Sequence, residues 1–201
     1  MNKLPFIIAF TLISTLDVIA QSPVEDIEDH RKKQHEKFLD PTQSPLSSDD
    51  REHFSGLNYY PVDLKFRVIA KFVRAHNTDF FPMKTTTSRT PMYRKYGEVH
   101  FVLDSDQYIL EVYENPDVMK KPGYEDYLFL PFTDKTNGDE TYDVGRYIDF
   151  RIPAGDEVVI DFNKSYNPYC SYSPNYSCPI PPAVNDLPVA VTAGEKKYKV
   201  H

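Results

Sequence analysis

With 201 residues and a formal net charge of −7, the chain suits one domain and can bury a real core. Its acidity disfavours nucleic acid and anionic lipid surfaces as partners. Seventeen prolines against seven glycines, fifteen tyrosines, thirteen phenylalanines and no tryptophan favour strands and rigid turns over a helical bundle.

The first twenty residues read as a removable secretory signal. Lys3 gives a positive start, Leu4 to Leu16 is apolar, and Val18-Ile19-Ala20 offers a cleavage site before Gln21. The run is short of the roughly twenty residues a membrane-spanning helix needs. No cysteine directly follows it, which excludes a lipid anchor at that point, and no second apolar stretch is long enough to cross a membrane, so the mature chain is expected to carry no membrane anchor. The expected location is therefore exported, periplasmic or extracellular. Removing Lys3 and Asp17 takes away one charge of each sign, so the mature net charge stays at −7.

One domain is expected over 21–201, with a helical arm at 21–56 and a β-rich core at 57–201. Ser22-Pro23 followed by Glu25 and Asp26 predicts an N-cap, a first-turn proline and an acidic first turn. Basic residues follow, and Pro41 stops the helix. Its apolar stripe is thin (Ile27, Phe38 and Leu39), so the arm is expected to be held at a few points. A shorter helical turn is expected from Ser48 to Phe54.

From Leu64 the period changes to two. Leu64, Phe66, Val68, Ala70 and Phe72 alternate with polar residues, the pattern of a half-buried strand. Val99, Phe101 and Leu103, then Tyr108, Leu110 and Val112, predict a hairpin across Asp104-Ser105-Asp106. Tyr127 to Phe132 reads as an edge strand because of Pro131. Ile148, Phe150 and Ile152 with Val158, Ile160 and Phe162 predict a second hairpin across residues 153–156. A last strand is expected at Leu187 to Thr192. The predicted fold is mainly β, an antiparallel barrel or sandwich-like sheet with an N-terminal α-helical arm.

Two stretches are dense in unusual polar residues: PFTDKTNGDETYDVGRYIDF from Pro131, and DFNKSYNPYCSYSPNYSCPIPP from Asp161, with VNDLPVAVTAGEK closing the chain. With Ser44 to Leu46, Gly56 to Asp63, Thr85-Thr86-Thr87 and Tyr96-Gly97, they resemble the bacterial and archaeal family catalogued as domain of unknown function 1684. The resemblance covers nearly the whole mature chain and implies no assigned activity. In that family the turn after the Cys-Pro-x-Pro-Pro segment carries Glu-Asn and a basic residue. Here Val184, Asn185 and Asp186 stand there, which favours a structural role for the turn.

Cys170 and Cys178 are the only cysteines, and in an exported chain a disulfide between them is expected. Closing that loop would stabilise by about 2.6 kcal/mol on the chain-entropy model. A reduced buried pair is the alternative. No metal site is expected, since zinc wants four ligands and no histidine lies near. The six histidines lack ligand spacing, and Asn175-Tyr176-Ser177 is an idle glycosylation match in a bacterial family. No glycine-rich phosphate loop is present, so no cofactor is expected.

The candidate catalytic residues are Asp134, Glu140, Tyr142 and Arg146. Arg146 takes the inward phase of its strand and needs a carboxylate, Glu140 or Asp134. A carboxylate beside a tyrosine and an arginine can bind an acidic small molecule or move a proton; the plainer reading is a network locking a loop onto the barrel. Asp161, Asn163, Tyr166 and Asn167 are candidates for lining a cleft, or for satisfying backbone groups in turns. The favoured function is an exported β-barrel-like binding or structural domain. The alternative is a metal-independent acid–base enzyme, a hydrolase or isomerase, using the first cluster. A flavin-binding split barrel rests on fold analogy alone.

Overall fold

The computed structural model describes residues 21–198; the expected signal at 1–20 lies outside them. Helix α1 (Pro23–Leu39) begins as the sequence dictates. Glu25 N–H donates to Ser22 Oγ at 3.3 Å, and Ser22 N–H donates back to Glu25 Oε2 at 2.9 Å. Ile27 and Phe38 are buried three turns apart on one face, while Leu39 is exposed. The helix is therefore pinned near both ends, helped by a 2.6 Å ion pair from Asp26 to Lys164. A short α2 (Ser48–Glu52) follows.

Among the described residues seven strands form one antiparallel sheet: β1 (Arg67–Arg74), β2 (Phe80–Pro82), β3 (Met92–Leu103), β4 (Asp106–Glu114), β5 (Tyr127–Phe132), β6 (Arg146–Arg151) and β7 (Glu157–Asp161). A short α3 (Pro116–Met119) lies between β4 and β5. The order is β6-β5-β4-β3-β1-β7, with β2 beside the first part of β3. The sheet curls into a half-barrel. Phe66, Val68, Phe101, Leu110, Ile148 and Ile160 fill its concave side as the alternation requires; Lys65, Lys71 and Asp149 point the other way and are exposed. The curl tightens at a bulge between Lys95 and Gly97. A Cβ on Gly97 would sit 2.7 Å from the Phe72 ring and from Val73 O, so only glycine fits the bend. The β3–β4 hairpin turns on Asp104 and Ser105, both at positive φ. Among the described residues no helix is long and apolar enough to cross a membrane.

Four expectations need correction. The segment Leu64–Phe66 is a 3-10 turn, because Asp63 Oδ1 accepts from Lys65 N–H and competes with the ladder. The hairpin between β6 and β7 does not form: β6 pairs with β5 and β7 with β1, so these consecutive strands are the two opposite edges of the sheet. The Pro131 strand is accordingly interior. Pro131 offers no N–H, and β5 meets β4 at one registered pair, Tyr113 with Phe129. The Asn185 side chain fills that seam. Its Oδ1 accepts from Glu111 N–H at 2.8 Å, while its Nδ2 donates to Glu111 O at 2.9 Å and Pro131 O at 2.6 Å. Finally, Leu187 to Thr192 is irregular. Pro188 cannot join a ladder, and the segment's backbone groups go instead to the loop at 133–135 and to Asp134 and Arg146.

Candidate functional site

The two edges of the half-barrel approach one another, and the chain after β7 closes part of the gap. Tyr147 and Tyr166 exchange backbone hydrogen bonds of 2.9 and 3.0 Å across β6. Tyr147 and Asp149 on β6, with Tyr127 and Phe129 on β5, occupy the phase facing away from the concave core. The loop at 166–179 and α1 stand over that outer face. Between them lies a cavity of about 380 Å³, within the roughly 300–1,000 Å³ usual for small-molecule sites. Eight of its lining residues are tyrosines, and its charged lining is Asp149, Glu195 and Lys37.

The rings interlock. Tyr147 meets Phe129 edge-on at 4.7 Å and Tyr166 at 5.9 Å; Tyr172 meets Phe38 at 4.8 Å and Tyr169 meets Tyr176 at 5.1 Å. The hydroxyls of Tyr127, Tyr147, Tyr166 and Tyr172 are held by protein acceptors. Tyr127 and Tyr166 both donate to Asp149 Oδ1, at 2.9 and 2.6 Å. Tyr147 donates to Pro179 O and Tyr172 to the Glu195 carboxylate. Burial first, and then neighbouring negative groups, push the phenols of Tyr127, Tyr147, Tyr166 and Tyr172 well above their ordinary range, so they stay neutral.

Glu195 is the buried acid of this site. Gly194, at φ +78, brings the chain so close that a Cβ would lie 2.0 Å from Ser165 Oγ and 2.5 Å from Phe162 O. Glu195 then receives Asn167 N–H at 3.0 Å as well as the Tyr172 hydroxyl. Burial pushes its carboxyl up to about 7, against those hydrogen bonds and the Arg146 charge. Tyr59 also faces it. A carboxyl raised on folding is protonated in the native state where the unfolded chain has already lost its proton. Stability from this group is therefore full below the ordinary glutamate range, falls as pH rises toward about 7, and is level above. The penalty at high pH is about 3 kcal/mol. Glu195→Gln should remove it, so the stability difference between variant and wild type, read by urea denaturation, should shift in the variant's favour between about pH 5 and about pH 8. A difference independent of pH would contradict the raised carboxyl.

The candidate residues divide. Tyr166 and Asn167 line the cavity. Asn163 does not: its side chain exchanges two 2.9 Å hydrogen bonds with the Asp63 backbone, tying the entry of β1 to the exit of β7. Asp161 caps that exit by accepting from Asn163 N–H at 3.0 Å, and it borders a separate groove at the sheet edges with His30, Arg67 and Lys164. Burial is the main cause lowering the His30 imidazole.

Asp134, Glu140, Tyr142 and Arg146 are not brought together as one constellation, and none lines the cavity. Arg146 is fully buried. Its Nη2 lies 2.8 Å from Asp134 Oδ2 and donates also to Val191 O; its Nη1 donates to Ala193 O and Glu195 O. Asp134 Oδ1 takes Thr136 N–H, Thr136 Oγ1 and Val191 N–H. Glu140, the other anion expected for Arg146, instead pairs at the surface with Lys196 at 3.2 Å. Tyr142 reaches Cys170 Sγ at 3.5 Å.

Cys170 and Cys178 are free thiols in this structure. They are neighbours all the same: Cys170 N–H donates to Cys178 Sγ at 3.1 Å. A hydrogen bond from the Cys178 thiol holds the Cys170 thiol below its usual range, while the same pairing pushes Cys178 up. Among the described residues no group of three or more His, Cys, Asp or Glu side chains could hold a metal.

Sequence reasoning missed Glu195 and most of the aromatic lining. The available signal was tyrosine at 166, 169, 172 and 176, a density that no other segment matches.

A search of curated proteins finds no match. Among solved structures the chain is similar to the solution NMR structure of the uncharacterized protein from gene locus rrnAC0354 of Haloarcula marismortui. The two are 34% identical with a TM-score of 0.66, over 85% of this chain and 92% of that one. Residues 52–196 match the family model described as protein of unknown function (DUF1684), and the chain belongs to that family.

Proposed function

We propose that this is an exported binding domain whose ligand, a small organic molecule, enters the tyrosine-lined cavity between α1 and the outer face of β5 and β6. The observation that carries the reading is the cavity itself: about 380 Å³, walled by interlocked rings, with two carboxylates in its lining. Such a site presents shape and ring faces, with few polar groups to orient a ligand.

A thermal-shift screen of small organic compounds tests this on wild type and on Gln34→Trp, which places an indole from α1 into the cavity. Compounds that stabilise the wild type should lose their effect in the variant. Stabilisation that survives the blocked cavity would refute the site.

Export rests on the charged start, apolar run and small-residue end of residues 1–20. In an oxidising compartment Cys170 and Cys178 would join, passing two electrons and two protons to a thiol-oxidising partner. Intact mass of exported protein, with alkylation before and after reduction, should show a chain beginning at Gln21 and no alkylation until reduction. A chain beginning at Met1 would refute the first part, and two labelled thiols in the native protein the second.

A further inference from the structure

Resting on that reading, we infer that the cavity takes an organic cation, a small molecule bearing an ammonium group, held on the tyrosine faces and by Asp149.

Three observations carry this. First, the hydroxyls of Tyr127, Tyr147, Tyr166 and Tyr172 are all donated to protein acceptors. At these four side chains a ligand therefore meets ring faces rather than free hydroxyl donors. Aromatic faces carry the negative end of the ring quadrupole, and a phenol that donates to a carboxylate is the more electron-rich. Second, Asp149 is the exposed carboxylate of the lining, and the buried Glu195 carboxyl adds to it as it ionises above about 7, against the one ammonium of Lys37. The two tyrosine hydroxyls converge on Asp149 Oδ1, and among the described residues no hydrogen bond occupies Oδ2. An N–H donor would be accepted there, and a quaternary ammonium would be attracted without one. Third, the chain already places an ammonium against this wall. Lys37 Nζ lies 5.1 Å from the centre of the Tyr169 ring, at cation–π distance.

The same observations count against an acidic ligand. The arginine from which one was expected, Arg146, is buried elsewhere, with four N–H bonds made to protein acceptors.

Isothermal calorimetry with choline, tetramethylammonium and the neutral choline isostere 3,3-dimethylbutan-1-ol separates the possibilities, using wild type, Asp149→Asn and Gln34→Trp. Asparagine retains an Oδ1 for the two tyrosines, and an unchanged melting temperature verifies the fold. Choline should bind about tenfold more tightly than the isostere. Asp149→Asn should reduce that preference several-fold, by about the worth of one charge at an exposed site, without weakening the isostere. Gln34→Trp should abolish both. Equal binding of choline and isostere, blocked by Gln34→Trp, would overturn the cation while leaving a ligand cavity in place. No binding of either cation also overturns the inference, and an acidic or sugar ligand emerging from the compound screen would replace it. A screen without any cavity-dependent ligand removes the binding reading as well.

Discussion

Asp134→Ala is expected to lower stability by about 3–5 kcal/mol, because it strands a buried cation. Arg146 has no exposed surface, and among the described residues Asp134 is its single carboxylate partner within salt-bridge distance, at 2.8 Å. The same change also removes the acceptor of Thr136 N–H and Val191 N–H, two backbone groups that hold the loop at 133–141 and the segment before Glu195. The pair is costly to break but need not be worth much as a pair. Asp134→Leu combined with Arg146→Met should therefore cost less than Asp134→Ala alone, a non-additivity that a double-mutant cycle in urea measures directly. Glu140→Ala should be nearly silent, since that carboxylate pairs with Lys196 at the surface. If Glu140→Ala destabilised as much as Asp134→Ala, the assignment of the anion would be wrong.

Asn185→Leu should be of comparable severity. Leucine preserves volume but leaves Glu111 N–H, Glu111 O and Pro131 O without their side-chain partner at the β4–β5 seam. An unsatisfied buried backbone group costs about 1–3 kcal/mol, so the loss should exceed about 3 kcal/mol. Val184→Ala, on the neighbouring and exposed side chain, should fall within about 0.5 kcal/mol of wild type. A chemical-denaturation series on the two variants decides it. A mild Asn185→Leu would mean that water replaces the amide and that the seam tolerates opening.

These two residues illustrate what was legible and what was not. Strand phase is local, so Phe66, Val68, Phe101, Leu110, Ile148 and Ile160 could be placed inward from alternation alone. The capping box of α1 is equally local, and its sequence signature is complete. Pairing between strands is not local. The period of β6 and β7 is correct, yet their adjacency in the chain suggests a hairpin where the curled sheet puts them on opposite edges. Proline in β5 signals a missing donor, but the remedy, an amide inserted from position 185, comes from a turn more than fifty residues away. Arg146 was placed inward correctly by phase, and of its two available anions the nearer in space could not be chosen from spacing. The candidate site was the least legible part. Tyr166 and Asn167 lie in it, but its wall is assembled from α1, two strands and a distant loop, and Glu195 reaches it only because Gly194 permits a backbone approach that no side chain would.

The claim on which the rest depends is that the tyrosine-lined cavity receives a ligand. An amide-resolved NMR titration of the wild-type protein with choline reads this most directly, since the probe reports where it binds as well as whether. Shifts should concentrate at residues 166–178, at Glu195, and on the α1 face carrying Gln34 and Lys37, all of them lost in Gln34→Trp; Asp149 borders both this cavity and the neighbouring groove and does not discriminate. Shifts centred on the separate groove of His30 and Asp161, or a spectrum indifferent to the cation, would contradict it.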